Sequence, residues 1–307
     1  MKKTIITISI TIFIGLIITI IYNQNPIDIT PPHLTQKNQQ EEYNNQEQPQ
    51  PEDLQPVNTN QVSYTLQNDE LNITYNNGND WINVPVLKDA LFAGAYSGNE
   101  QELIDDSYVL TENRAAFLYQ GAGVQVKYSL DQGETWQDST VAESFPAMRF
   151  RKLDFVNDQF GYVIISGDKT MSSEYSVAYL THDGGQTWEK TADSGILRLI
   201  ADGGFVDEKT GFLSYGIINP DRPDLYVTQD GGKTWSQTMF NIPSKYYQVF
   251  VQAETPVKEG DHLAVLLNQG PNGDYQGGKV KGKFISEDNG KSWEFSTEVE
   301  PHETEQG

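Results

Sequence analysis

The sequence contains no cysteine. This absence excludes disulfide bonds, a thiol nucleophile, cysteine-ligated zinc and the lipidated cysteine of a lipoprotein. Positive charge is also scarce. The chain has 21 lysines and arginines and 43 aspartates and glutamates, which gives a formal net charge of −22. A chain this acidic repels nucleic-acid phosphates, so we expect no nucleic-acid partner.

Long apolar runs are absent except at the N-terminus. Lys2 and Lys3 precede 18 uncharged residues, 4–21, which is the lower limit for a membrane-spanning helix. A positive flank before an apolar run is typical of a signal peptide or a signal anchor. No small-residue cleavage site follows. We therefore predict an uncleaved transmembrane helix over residues 1–22, which places the rest of the chain outside the cell membrane. A cleaved signal, which would make the protein secreted, is the alternative.

The remainder of the chain falls into two parts of different composition. Residues 23–61 are rich in Gln, Asn, Pro and Glu and lack periodic apolar positions, which predicts a disordered tether. From residue 62 onward, short runs of Val, Ile, Tyr, Phe and Thr alternate with Gly, Asn and Asp clusters, as in strands joined by turns. No amphipathic stretch is long enough for a major helix. We predict an all-β domain over 62–299 and a disordered tail over 300–307.

An eight-residue motif repeats through this all-β domain. Its pattern is Ser/Thr-x-Asp-x-Gly-x-Ser/Thr-Trp, and all five tryptophans of the protein stand at its last position, 55, 52, 47 and 58 residues apart. The first copy is degenerate and carries Asn instead of Asp. The key positions of the five copies are Asn76 and Trp81, Asp131 and Trp136, Asp183 and Trp188, Asp230 and Trp235, and Asp288 and Trp293.

Each residue type in the motif suits a hairpin turn. Asp hydrogen-bonds backbone amides across a turn, and Gly adopts the positive φ that other residues resist. The two Ser/Thr positions end one strand and begin the next, and Trp buries its ring beneath the turn. These requirements explain the aspartates without a bound metal.

The motif resembles the Asp-box, or BNR, repeat of sialidases, sortilin-type receptors, some glycanases and the photosystem II stability/assembly factor-like propellers. A second repeat, Phe-x-Asp/Asn followed by Gly-aromatic, occurs at 155–162 and 205–212 and is similar to that of the assembly-factor group. The resemblance implies a β-propeller. Five boxes over about 240 residues allow about five four-stranded blades, or six if one blade lacks a box.

A glycosidase is the most specific enzymatic activity that the motif suggests, but the residues give it little support. The sialidase pattern requires three arginines around a carboxylate, an early Arg-Ile-Pro element and a Tyr/Glu nucleophile pair. The chain has five arginines and no Arg-Ile-Pro, and no Tyr/Glu pair can be assigned by motif. The resemblance further implies that Asp-boxes lie away from the active site. We therefore assign no catalytic residue.

Other sites for metals and cofactors are not indicated. The four histidines, His33, His182, His262 and His302, lack ligand spacing. The glycine-rich segment 274–278 is not followed by a helix, so it does not predict phosphate binding. We expect neither a metal nor a cofactor.

A basic cluster is the most distinctive polar feature. Arg149, Arg151 and Lys152 begin one predicted innermost strand and Arg198 begins the next, and such strands line the central channel of a propeller. These arginines could bind a carboxylate ligand or an acidic partner segment, or form ordinary surface ion pairs. The anchor, the tether, the assembly-factor-like repeats and the lack of a catalytic constellation lead us to expect a non-catalytic protein-binding scaffold or assembly factor at the outer membrane face. The alternative is a sialidase-like glycoside hydrolase or a glycan-binding module.

Overall fold

The computed structural model of the protein describes residues 53–300. The predicted transmembrane helix, most of the predicted tether and most of the predicted tail lie outside these residues. The described part contains 21 strands, one short α-helix, α1 (Lys88–Phe92), and three single 3-10 turns. No helix within residues 53–300 has the length and apolar content needed to cross a membrane.

The strands follow one another with short connections. In chain order they are β1 (Ser63–Thr65), β2 (Glu70–Thr74), β3 (Ile82–Leu87), β4 (Tyr108–Thr111), β5 (Arg114–Gln120), β6 (Val124–Ser129), β7 (Gln137–Ala142), β8 (Phe150–Phe155), β9 (Gly161–Gly167), β10 (Tyr175–Thr181), β11 (Glu189–Lys190), β12 (Ile200–Phe205), β13 (Gly211–Tyr215), β14 (Asp224–Thr228), β15 (Ser236–Gln237), β16 (Met239–Asn241), β17 (Gln252–Ala253), β18 (Val257–Glu259), β19 (His262–Asn268), β20 (Lys281–Ser286) and β21 (Ser292–Val299).

These strands form five sheets within the described residues. Sheet 1 contains β1–β3, and sheets 2, 3 and 4 are four-stranded antiparallel meanders of β4–β7, β8–β11 and β12–β15. Sheet 5 has six strands, and its order is β16-β21-β20-β19-β17, with β18 also paired to β19. The prediction of an all-β chain is confirmed. Four strands per sheet is correct only for the middle three.

The hydrophobic core consists of four clusters, each between one sheet and the next. They join sheets 1 and 2, 2 and 3, 3 and 4, and 4 and 5. Strand β9 shows how one strand serves two clusters: Val163 and Ile165 face sheet 2, whereas Tyr162 and Ile164 face sheet 4. Because side chains alternate across a strand and both faces are covered, β9 is a continuous apolar run.

The outer strand of sheet 5 comes from the link between sheets 4 and 5. This strand, β16, follows the last strand of sheet 4 in the chain and pairs in parallel with β21, placing Met239 opposite Ser292. The repeat pattern does not encode this addition, because β16 lies outside every box. It covers the outer edge of the last sheet, which would otherwise present unpaired backbone groups.

The turns of each antiparallel meander alternate between two ends of the sheets. The Asp-box turns lie at one end, which we call the box end. The loop between the second and third strands of a sheet, and the link entering its first strand, lie at the other end, which we call the loop end. Residues at opposite ends of a sheet are therefore separated by its strand length.

Candidate functional site

The Asp-box aspartates use their oxygens to hold the turn. Asp131 Oδ1 accepts the Thr135 N–H at 2.9 Å, and Asp131 Oδ2 accepts the Thr135 hydroxyl at 2.6 Å. The Ser129 hydroxyl donates to Asp131 at 2.8 Å and accepts the Gly133 N–H at 2.8 Å. The same four bonds recur around the other three aspartates, Asp183, Asp230 and Asp288.

These hydrogen bonds also lower the pKa of the box aspartates. The Thr135 hydroxyl and the Thr135 N–H lower the pKa of Asp131 to about 2. The corresponding groups of Thr234 lower the pKa of Asp230 to about 2. A carboxylate that accepts several hydrogen bonds is held in its charged form.

The degenerate first box keeps the turn by reversing one bond. Asn76 Oδ1 accepts the Asp80 N–H at 2.9 Å, as the aspartate does in a full box. The amide Nδ2 of Asn76 then donates to the Asp80 carboxylate at 2.8 Å, where a full box has a hydroxyl donating to Asp. The acidic and the neutral side chain have exchanged positions, and the number of hydrogen bonds is unchanged. The first box therefore forms the same turn as the other four.

The box tryptophans connect sheets to each other. Trp188 Nε1 of sheet 3 donates to Ser139 Oγ of sheet 2 at 3.0 Å. Trp235 Nε1 of sheet 4 donates to Ala192 O, which follows sheet 3, at 3.1 Å. Trp293 is completely buried and bonds within its own turn, to Gly290 O at 3.1 Å. Trp81 and Trp136 are partly buried, with Gly78 and Gly133 packed against their rings.

Arg149, the first arginine of the predicted cluster, forms a buried ion pair. Its Nε donates to Glu174 Oε2 at 2.6 Å, and its Nη2 donates to Ile200 O at 2.6 Å. The Glu174 side chain is completely buried and also accepts the Ile200 N–H at 2.6 Å. Arg149 and Glu174 belong to sheet 3 and Ile200 begins sheet 4, so the pair joins two sheets.

Arg151, the second arginine, is buried without an acidic partner. Its guanidinium donates to Leu91 O at 2.8 Å and Ala93 O at 2.6 Å, at the C-terminal end of α1. A cation is favourable at that end of a helix. Burial lowers the pKa of Arg151 to about 10. The side chain therefore supports the loop that follows sheet 1.

Arg114, which the sequence analysis did not assign, has a similar structural use. Its guanidinium donates to Gly184 O at 2.7 Å and Asp158 O at 2.8 Å, and lies 3.8 Å from the centre of the Phe155 ring. It thus joins sheet 2 to the box end of sheet 3. Three of the five arginines, Arg114, Arg149 and Arg151, hold neighbouring elements together.

Lys152, the fourth basic residue of the predicted cluster, contacts groups from neighbouring sheets. Lys152 Nζ contacts Asp202 Oδ1 at 2.7 Å, Asp106 Oδ2 at 3.4 Å and Thr255 Oγ1 at 3.2 Å. Lys152 and Asp202 lie in β8 and β12, Asp106 precedes β4, and Thr255 lies between β17 and β18. Burial alone would lower the pKa of Lys152, but the neighbouring Asp202 and Asp106 carboxylates hold it above its ordinary value. Two carboxylates thus surround one ammonium group, and the contacts link sheets 3 and 4 to segments that flank sheets 2 and 5.

Arg198, the third predicted arginine, lines a pocket at the loop end. Its side chain is 52% exposed, and its Nε donates to Asp224, whose other oxygen accepts from Gln237 Nε2 at 3.0 Å. Arg198 Nη2 lies 3.4 Å from the Tyr226 hydroxyl. Nη1 makes no hydrogen bond within residues 53–300. Arg198 shares no hydrogen-bond or ion-pair partner with Arg149 or Arg151 in the described residues.

A second arginine faces the same pocket. The cavity measures about 360 Å³ and is lined by Arg198, Gly216, Ile218, Asn219, Pro220, Asp221, Arg222, Asp224, Tyr226 and Gln237. We call it the Arg198 pocket. Arg222 is exposed and, within the described residues, forms neither an ion pair nor a side-chain hydrogen bond. Pockets of this size accept small ligands, and Arg presents paired donors to carboxylates.

The loop that carries Arg222 is braced by sheet 5. Asn272 Nδ2 donates to Asn219 Oδ1 at 2.7 Å, which leaves the Asn219 amide N–H groups for other partners. Pro220 packs against Gly270 and lies beside Val251. Sequence reasoning missed Arg222, Tyr226 and Gln237. The available signal was the segment 216–223, which is long for a loop between two strands of one meander.

Two histidines lie in the described residues, and neither joins a metal-binding cluster. His182 packs against the Phe160 ring at 5.2 Å, and His262 lies 3.4 Å from Asp261. In residues 53–300 no three His, Cys, Asp or Glu side chains are grouped so as to hold a metal ion.

The five sheets with their box turns define a β-propeller domain. The sequence profile of the DUF6242 beta propeller domain matches residues 32–263. The chain belongs to this family of propeller domains. No curated protein is similar enough in sequence to match it.

Several solved structures are similar in fold at low identity. The GH74 xyloglucanase from Xanthomonas campestris is 15% identical, with a TM-score of 0.44, over 78% of this chain and 38% of the xyloglucanase. The GH43 β-xylosidase/α-arabinofuranosidase CoXyl43, from a compost microbial metagenome, is 6% identical, with a TM-score of 0.39, over 69% and 79%. The NanB sialidase from Streptococcus pneumoniae is 14% identical, with a TM-score of 0.36, over 66% and 32%. The chain thus spans well under half of the xyloglucanase and of the sialidase.

The comparisons correct one prediction. A non-catalytic protein-binding scaffold or assembly factor was expected, and this is wrong: the neighbouring solved propellers are glycoside hydrolases and a sialidase. The box repeats were assigned no chemistry in the sequence analysis, and their hydrogen bonds within the turns are compatible with that assignment.

Proposed function

We propose that the protein binds saccharides that carry a carboxylate, and that the Arg198 pocket is the binding site. The observation that carries this proposal is the pair Arg198 and Arg222 in one cavity, with Arg222 free of any ion pair in the described residues. Two of the five arginines of a strongly acidic chain line one pocket.

The rest of the lining suits a sugar. Asn219 and Gln237 offer amides that can donate to and accept from hydroxyl groups, and Tyr226 offers an aromatic wall with a hydroxyl. The net charge of the chain does not prevent an acidic ligand from binding. Exposed charges more than about 8 Å away are largely screened at physiological salt, so the charges of the lining decide. The lining holds Asp221 and Asp224 beside the two arginines, and Asp224 pairs with Arg198, so Arg222 is the group available to a ligand carboxylate.

The test is the affinity of the full chain for glucuronate and N-acetylneuraminate, with methyl β-D-glucoside as the neutral comparison. We expect the acidic sugars to bind and the neutral one to bind more weakly. Arg222→Ala should weaken acidic-sugar binding by about 10- to 100-fold, the usual contribution of a hydrogen bond to a charged group. Isothermal titration gives both Kd values.

A matched control distinguishes the loss of a pocket residue from the loss of one positive charge. Lys209 lines another cavity, at the box end, and Lys209→Ala removes the same unit of charge. It should leave sugar affinity unchanged. Thermal unfolding of Arg222→Ala should equal that of the wild type, because Arg222 is exposed and its side chain forms neither a hydrogen bond nor an ion pair within the described residues. Equal binding of acidic and neutral sugars, or equal losses from both variants, would refute the proposal.

Hydrolysis at the same pocket is a second candidate. Asp221 and Asp224 both line the cavity, and glycoside hydrolysis requires two carboxyl groups that flank the scissile bond. Water would add across the glycosidic C–O bond, giving the sugar a hydroxyl and the leaving group a proton. Release of nitrophenol from 4-nitrophenyl β-D-glucuronide, and its loss in Asp221→Asn, tests this candidate. Absence of release from the wild type would reject it for this substrate.

Several narrower predictions remain proposals. These are the membrane anchor over residues 1–22, the extracytoplasmic location of the propeller, the assembly-factor-like subgroup, a protein partner at the outer membrane face, and a count of about five blades.

A further inference from the structure

Three adjoining cavities lie at the box end of sheets 3, 4 and 5. They measure about 870, 570 and 170 Å³. The first and second cavities share Glu208, Lys209 and Gln229, and the second and third share Asp207 and Asn289. Because each cavity shares walls with the next, the three form one continuous trough across three sheets. We call it the box-end groove.

The walls of the groove are held by hydrogen bonds between turns. The Gly231 N–H, in the box turn of sheet 4, donates to Lys209 O at 2.9 Å. Gln229 Nε2 donates to Asp288 O at 3.0 Å and to Asn289 O at 2.9 Å, which ties the box turns of sheets 4 and 5 together. A ligand would therefore meet a surface whose backbone is already in place, so little ordering entropy opposes binding.

The side chains of the middle cavity keep hydrogen-bonding groups available. Asn157 Oδ1 accepts backbone N–H groups of its own turn, whereas its Nδ2 has no partner in residues 53–300. In the same part of the chain, Gln229 Oε1, the Glu208 carboxylate and the Asn289 side-chain amide also have no hydrogen-bond partner. The cavity thus offers both donors and acceptors to a ligand.

The charges of the groove are mixed. Lysines and carboxylates occur together in it, as with Glu189 beside Lys190 in the first cavity and Glu287 with Lys258 in the third. A strongly anionic polymer would meet the carboxylates, and a cationic one would meet the ammonium groups. Neutral hydroxyl groups can donate to the carboxylates and accept from the ammonium and amide groups, so no like-charge repulsion opposes them.

We propose that the box-end groove binds a neutral polysaccharide chain, with successive sugar units in successive cavities. Sugar hydroxyls donate and accept hydrogen bonds, which the available groups of the groove require. An extended chain suits the site because the groove crosses three sheets. The Arg198 pocket lies at the loop end, so this is a second site and the inference goes beyond the proposed function.

Isothermal titration of the full chain with cellohexaose, xylohexaose, mannohexaose and maltohexaose tests the proposal. At least one of these neutral hexasaccharides should bind, and at least about tenfold more tightly than its disaccharide, because only the longer chain reaches more than one cavity. Lys233 lines the first cavity and Asn289 lines the other two. Lys233→Ala and Asn289→Gly should each weaken hexasaccharide binding by about 2- to 10-fold, the contribution of one hydrogen bond.

The boxes themselves supply matched controls. Lys291 holds the same position in the last box as Lys233 in the preceding one, but it lines none of the three cavities. Asn77 of the first box is equivalent to Asn289, with φ of 59° against 57°, so glycine fits both positions without strain. Lys291→Ala and Asn77→Gly should leave the hexasaccharide Kd unchanged.

The outcomes are distinct from those of the acidic-sugar experiment. Failure of all four hexasaccharides to bind, or equal affinity for hexasaccharide and disaccharide, overturns the inference. Binding that either Lys233→Ala or Asn289→Gly leaves unchanged also overturns it, because the chain then does not span the groove. Binding that is lost in Arg222→Ala places the chain in the Arg198 pocket and has the same consequence. Glucuronate affinity tests the proposed function separately, since Asn289→Gly should not alter it.

Discussion

Removal of Glu174 should destabilise the propeller more than removal of any exposed acidic residue. The Glu174 side chain is completely buried and receives Arg149, the Ser166 hydroxyl and the Ile200 N–H. In Glu174→Ala, the guanidinium loses its carboxylate, and the Ile200 N–H loses its acceptor. Loss of one partner of a buried ion pair costs about 3–5 kcal/mol.

The lower end of that range applies here. Arg149 remains 18% exposed, and its bond to Ile200 O persists, so water and one carbonyl partly compensate the charge. We expect Glu174→Ala to lower the free energy of unfolding by about 3 kcal/mol. In a domain of this size that corresponds to a melting temperature lower by about 6–12 °C. Urea unfolding and calorimetry of the full chain measure both quantities.

Two further variants make the test specific. Glu189 lies in β11 of the same sheet, is exposed and forms no ion pair within residues 53–300, so Glu189→Ala should change stability by less than about 0.5 kcal/mol. The double variant Arg149→Met with Glu174→Met should be more stable than Glu174→Ala, because no charge stays buried without a partner. Equal stability of Glu174→Ala and Glu189→Ala would refute the reasoning.

Two other predictions concern the box turns. The pKa of Asp131 and of Asp230 falls from 3.8 to about 2 on folding, so each carboxylate stabilises the fold fully above about pH 4, and this contribution disappears as the pH falls to about 2. The double variant Asp131→Asn with Asp230→Asn should show a shallower loss of melting temperature across that window, and an unchanged slope would contradict this. Gly133→Ala should cost about 2 kcal/mol, because φ is +84° and a Cβ would lie 2.9 Å from Ile82 Cγ2. Gly195→Ala, with φ of +72° and open space, should cost only about 1 kcal/mol, and equal losses in urea unfolding would show that the Ile82 contact is unimportant.

The repeated turns were readable from the sequence because their physics is local. Every bond of the Asp131 turn joins residues within four positions of each other, so the motif alone specifies it. The short runs of Val, Ile, Tyr, Phe and Thr likewise predicted strands. The propeller fold was then implied by the resemblance of the motif to the Asp-box repeat.

The partners of the arginines were not readable, because they come from distant parts of the chain. Arg149 pairs with Glu174, 25 residues away, and Arg151 reaches Leu91, 60 residues away. Whether an arginine faces solvent or a carbonyl depends on how one sheet packs on the next. Arg222 was overlooked for the same reason, since its pocket is lined by Arg198, the 216–226 segment and Gln237, which folding brings together.

The direction of the tryptophan contacts makes two of the repeats depend on their predecessors. The indoles of Trp188 and Trp235 donate to acceptors in or just after the preceding sheet, whereas Trp293 donates to Gly290 O of its own turn. Deletion of sheet 2 or sheet 3 would therefore remove the acceptor of the next indole N–H, so neither repeat can be lost without leaving a donor of its neighbour unsatisfied.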